Sequence, residues 1–74
     1  MASGYYEFQV CFENWETRAF YDPKAMGLFN GQTLFTGDKA EGRAERLAYN
    51  LNESPMATAL PGGVRAYVVA NYIA

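Results

Sequence analysis

Histidine is absent from this 74-residue sequence, and cysteine occurs once, as Cys11. A disulfide within the chain is therefore excluded, and no group of residues has the soft-ligand spacing of a structural zinc site. The lone thiol fits a reducing compartment. No apolar run approaches the roughly 20 residues that span a bilayer, and the start "MASGYYEF" has neither the basic region nor the apolar run of a signal peptide. These features predict a cytoplasmic protein that does not use a membrane. Strong charge of either sign is missing too: six Lys and Arg stand against eight Asp and Glu, a net charge of −2. That is too mild for an acidic mimic of DNA and of the wrong sign for a generic phosphate binder.

Apolar residues make up 50% of the chain and aromatics 16%, enough for a packed core and too much for a disordered segment. One domain, residues 1–74, is all that fits. So short a chain buries only about 60% of the surface its unfolded form exposes, which makes self-association a real option for added stability.

"YYEFQVCF" alternates, with Tyr6, Phe8, Val10 and Phe12 on one side and Tyr5, Glu7, Gln9 and Cys11 on the other, as in a half-buried strand. "ENWE" supplies a reversal and "ETRAFYD" a second extended segment, stopped by Asp22 and Pro23, so the pair reads as a β-hairpin. Asn30-Gly31, between apolar pairs, signals a type I′ turn, with a short third strand near Gln32 to Phe35. In "TGDKAEGRAERLAYNLNESP", Asp38 and Glu41 form a variant capping box that starts a helix at Lys39, and Asn52 to Pro55 end it. Ala40, Ala44, Leu47, Ala48 and Leu51 fall within an arc of about 100°, a stripe suited to a sheet face. "VRAYVVANYIA" closes the chain as a strand, with Ala66 and Ala70 suited to the wall opposite that stripe. The expected fold is a small α+β domain: an antiparallel sheet of three to four strands, ordered β-β-β-α-β, with one helix on one face.

A single helix covers one face of a sheet. If Ala66, Val68 and Ala70 meet the helix, then Arg65, Tyr67, Val69, Asn71 and Ile73 face away, beside Tyr5, Gln9 and Cys11. That second face, with Arg18 and Phe20 from the hairpin, is a candidate surface for a protein partner or a homodimer: Tyr5, Arg18, Phe20, Arg65, Tyr67 and Val69. The competing reading is that the loops Asp22 to Gly31 and Pro55 to Gly63 fold over it. The outer side of the helix offers a second surface. Lys39, Arg43 and Arg46 line one flank and Glu41 and Glu45 the other, with Gly42 and Tyr49 between. Like charges repeat at i, i+4 and a glycine interrupts the helix, so local stability was not what set these positions. Lys39, Gly42, Arg43, Arg46 and Tyr49 are the candidate contacts there, against the bland reading of a solvated helix face.

Catalysis is disfavoured: without histidine, neither Ser3, Ser54 nor Cys11 has an evident general base. Glu7 with Glu16 could approach across the hairpin, and Glu13 with Glu16 likewise, but surface glutamates usually serve solubility. No P-loop or dinucleotide fingerprint is present, and no cofactor or metal is expected. Single-stranded nucleic acid could stack on Tyr5, Phe20 and Tyr67 with Arg18 and Arg65 near phosphates, although the acidic balance opposes it.

In layout, "YYEFQVCF", "GDKAEGRAERLAYNLN" and "VRAYVVANYIA" as strand, helix and strand resemble the small single-domain proteins of phages and mobile elements, among them anti-CRISPR inhibitors. The resemblance spans the whole chain. It implies a phage-encoded inhibitor without an active site, working in the host cytoplasm by occupying a surface of a CRISPR or other defence complex. The expected function is non-catalytic protein binding of that kind. Two other expectations remain: a self-assembling subunit that buries the open sheet face in a homodimer, and single-strand binding by the sheet aromatics.

Overall fold

A computed structural model describes residues 3–27, 29–53 and 60–74. Three strands and one helix occur among them, in the order β1 (Tyr5–Asn14), β2 (Leu34–Thr36), α1 (Ala40–Glu53) and β3 (Val64–Ile73). The fold is α+β, with one antiparallel three-stranded sheet ordered β2-β1-β3. β2 and β3 each run antiparallel to β1 and hence parallel to each other, so α1 is the crossover that carries the chain from one sheet edge to the other.

β1 and β3 pair along their full length, from Tyr5 opposite Ile73 to Asn14 opposite Val64. This register puts Phe8, Val10 and Phe12 on one face with Ala66, Val68 and Ala70, as the alternation predicts. Val10, Phe12, Phe35, Ala66 and the helix stripe Ala40, Ala44, Ala48 and Leu51 form the buried core, with Leu47 half-buried beside them. Four alanines at the contact bring the helix close to the sheet, and Ala44 is wholly buried.

Four local expectations are corrected. The hairpin's second strand shrinks to a single bridge, Glu13 to Phe20, followed by a bond from the Tyr21 amide to the Phe12 carbonyl. The Asn14 carboxamide accepts from the Glu16 and Thr17 amides to turn the chain, Arg18 takes a left-handed φ of 63°, and Asp22-Pro23 stops the extended run after three residues. Asn30-Gly31 makes no type I′ turn, because neither residue has positive φ. The reversal is built earlier, where the Asp22 carboxylate accepts from the Lys24 and Ala25 amides and Gly27 takes φ 71°. The helix begins one residue later than expected. Lys39, at φ 62°, precedes it and accepts the first helical bond from the Arg43 amide, while the Asp38 carboxylate caps none of the first-turn amides. Ala70 is exposed, because the sheet runs past the helix. Ten residues of strand reach about 33 Å and fourteen of helix about 21 Å, so one end of the ribbon is left bare. The expected third strand lies at Leu34–Thr36. Of the residues read as ending the helix, Ser54 and Pro55 lie outside the described residues, as do Leu28 and most of the loop from Pro55 to Gly63.

Candidate protein-binding surfaces

The pairing register assigns the second face of the sheet row by row. Tyr5 lies beside Ile73; Thr36, Glu7 and Asn71 form the next row; then Leu34, Gln9 and Val69; then Cys11 and Tyr67; and last Phe20, Glu13 and Arg65. Antiparallel partners share a face, so these side chains all point away from α1. Tyr21 and Phe29, by contrast, pack against the core on the helix side, and Leu60 does the same. Of the two loops expected to fold over the open face, the described apolar residues Phe29 and Leu60 thus pack on the helix side, while Asp22 to Lys24 flank Gln9 and Cys11 at the sheet's margin. Among the described residues this face stays open in part: Phe20 is 77% exposed, Tyr5 52%, Leu34 42% and Tyr67 39%, while Gln9, Cys11, Glu13 and Val69 are half-buried.

Four of the expected sheet-face residues come together at one end. Arg18 donates from Nε to the Glu13 carboxylate at 3.2 Å, which brings its guanidinium to the row of Phe20, Glu13 and Arg65, one row from Tyr67. Val69 continues the patch. Tyr5 does not join it, because it stands eight strand residues from Glu13, roughly 26 Å away. Glu7 and Glu16 are not a pair either. Glu7 sits mid-strand between Thr36 and Asn71, whereas Glu16 is in the turn beyond Asn14, at least seven strand residues or about 23 Å away. Glu13 is engaged by Arg18.

On the helix, Gly42, Arg43, Arg46 and Tyr49 are exposed, as is Lys39 just before it. Arg43 is partly committed, its guanidinium lying 5.0 Å from the centre of the Phe35 ring, a cation–π contact that holds the helix start to β2. A Cβ added at Gly42 would meet nothing within 4 Å, so packing within the chain gives no reason for the glycine.

Two features escaped sequence reasoning. Trp15, 55% exposed, projects from the turn after β1, where its amide bonds to the Gly63 carbonyl. A tryptophan in "ENWE" was the signal for it. A groove of about 320 Å³ also opens between β1 and the segment 20–33, walled by Val10, Cys11, Phe12, Tyr21 and Phe29. It is apolar, and burial pushes the Cys11 thiol above its ordinary pKa, which favours the neutral form over the nucleophilic thiolate. Among the described residues no cluster of carboxylates and thiol could hold a metal ion, and no helix is long and apolar enough to cross a membrane. No family model, curated protein or solved structure matches the chain.

Proposed function

We propose that this chain is a non-catalytic binding module whose open sheet face docks on a protein partner. The observation that supports the reading is the exposed Phe20, Leu34 and Tyr67, with half-buried Val69 beside them and Arg18, Glu13 and Arg65 at the rim, on the side of the sheet opposite the helix. Aromatic and aliphatic surface inside a polar, charged rim is the anatomy of a protein interface. The layout resemblance suggests the partner class, a host defence complex such as a CRISPR nuclease, and the mode, inhibition by occupying a surface. The helix face with Arg43, Arg46 and Tyr49 is the secondary contact.

Affinity capture from host extract tests this with three chains: wild type, Tyr67→Glu, and Arg43→Glu with Arg46→Glu. A partner retained by wild type and lost with Tyr67→Glu, while far-UV circular dichroism stays native, is the expected result; the helix pair should weaken it less. Capture indifferent to Tyr67→Glu would remove the sheet face from the function. Retention of single-stranded oligonucleotide that falls steeply with salt would move the assignment to nucleic acid.

A further inference from the structure

The backbone of β3 carries a half-protected edge. On β1, the Val10 amide bonds to the Thr33 carbonyl, the Tyr21 amide to the Phe12 carbonyl, and the Asn14 amide to the Ala19 carbonyl, so the even-numbered residues turn their polar groups away from β3. Its odd-numbered residues therefore bond to Arg65, Tyr67, Val69, Asn71 and Ile73, and the polar groups of Val64, Ala66, Val68, Ala70 and Tyr72 point to the free edge. Two of these are satisfied within the chain. Val64 donates to the Pro61 carbonyl. Asn52, near the end of α1, reaches Ala66 with both ends of its carboxamide: Oδ1 accepts from the Ala66 amide at 2.7 Å and Nδ2 donates to its carbonyl at 2.9 Å. One side chain thus stands in for a neighbouring strand. Beyond it, the amides and carbonyls of Val68, Ala70 and Tyr72 have no partner among the described residues.

Edges left open usually carry a lysine, a proline or a bulge, and this half of β3 has none of them. We propose that its occupant is a second copy of the same chain, paired antiparallel through β3 about a two-fold axis at Ala70. In that register Val68 faces the partner's Tyr72, Ala70 its own counterpart, and Tyr72 the partner's Val68. All the free amides and carbonyls of those three residues are then paired, and no charged residue lies opposite another. The exposed methyl of Ala70 leaves room at the axis. The Asn52 cap fixes where pairing stops, so the register cannot slide toward Ala66 without breaking two bonds.

The opposite sheet edge explains why the occupant is one copy and the assembly closes. β2 has three residues, and Gln32 Nε2 already donates to the Leu34 carbonyl at 2.8 Å, so a β3-to-β2 chain of copies has little to pair with. Self-pairing also places the partner's helix-covered Val68 beside Tyr72, which with Tyr6 forms an exposed edge-to-face aromatic pair at 5.1 Å on the bare end of the ribbon. The resulting six-stranded sheet keeps both open faces on one side, available to the partner proposed above.

Light scattering on the full chain, with Ala70→Lys, Ala70→Glu and their equimolar mixture, tests the assignment. Wild type should have twice the 8.3 kDa chain mass, each variant alone the single mass, and the mixture the dimer mass again, because unlike charges then meet across the axis. Wild type that stays monomeric up to about 1 mM, or a dimer untouched by either charge, overturns it. Hydrogen exchange on wild type decides the matter even if the variants fail to fold. Protection of the Val68, Ala70 and Tyr72 amides should rise with concentration, and protection independent of concentration overturns the pairing.

Discussion

Gly42 interrupts a helix whose neighbours would accept a side chain, and it is the residue where stability and function are most easily separated. With open space around it and ordinary helical geometry, Gly42→Ala should raise unfolding free energy by about 1 kcal/mol through lost freedom of the unfolded chain. A urea titration reads this directly, and no gain would mean that the glycine relieves a strain not visible in its surroundings. If the same variant weakens partner binding, the gap is part of the contact. Cys11 offers a second test at this scale. Burial raises its pKa, so the folded thiol stays neutral where the unfolded one already ionises. Its contribution to stability is complete below the unfolded pKa and is lost as pH rises through the folded one. Iodoacetamide should therefore alkylate the folded chain more slowly than the urea-unfolded chain near pH 8.5, with the gap closing at higher pH. Equal rates at every pH would show a freely solvated thiol.

At the scale of elements, the helix does two jobs with two kinds of residue. Its alanine stripe allows close approach to the sheet, and Asn52 guards the edge of β3. Asn52→Ala removes two hydrogen bonds of roughly 0.5–1.5 kcal/mol net each, so the monomer should lose about 1–3 kcal/mol in urea unfolding. The same change adds Ala66 to the bare edge, and association should increase even as the monomer weakens. Unchanged stability would mean that water replaces the carboxamide at no cost.

For the whole molecule, the mismatch of lengths decides the shape. Strands longer than the helix give a body of 46 × 25 × 19 Å, with a core at one end and exposed Tyr5, Tyr6 and Tyr72 at the other. Among the described residues two surfaces remain, a partly open apolar face and an edge of β3 without backbone partners, and they predict different losses. Tyr67→Glu should leave the solution mass of wild type intact while abolishing partner capture; Ala70→Lys should halve the mass. A dimer dissolved by Tyr67→Glu would place the copies face to face instead.

The sequence alone determined the class and the faces. Alternation in "YYEFQVCF" and the stripe from Ala40 to Leu51 are periodic signals, and periodicity survives any arrangement of the loops. It therefore gave the two sides of β1 and β3, the buried face of the helix, and the candidate residues Tyr67, Val69 and Phe20 on an outward side. Tertiary structure decided the rest, because it depends on contacts between distant segments. Turn propensity at Asn30-Gly31 yielded to a reversal built on Asp22; Tyr21 and Phe29 turned to the core side and left Phe20 and Tyr67 exposed on the other; and Arg18 reached the row of Arg65 through its bond to Glu13 while Tyr5 stayed apart. Nothing local in "NLNE" announces that Asn52 will cap Ala66, fourteen residues on. That bond exists because the crossover returns the chain beside its own helix, and only there can one carboxamide close half an edge and leave the other half open.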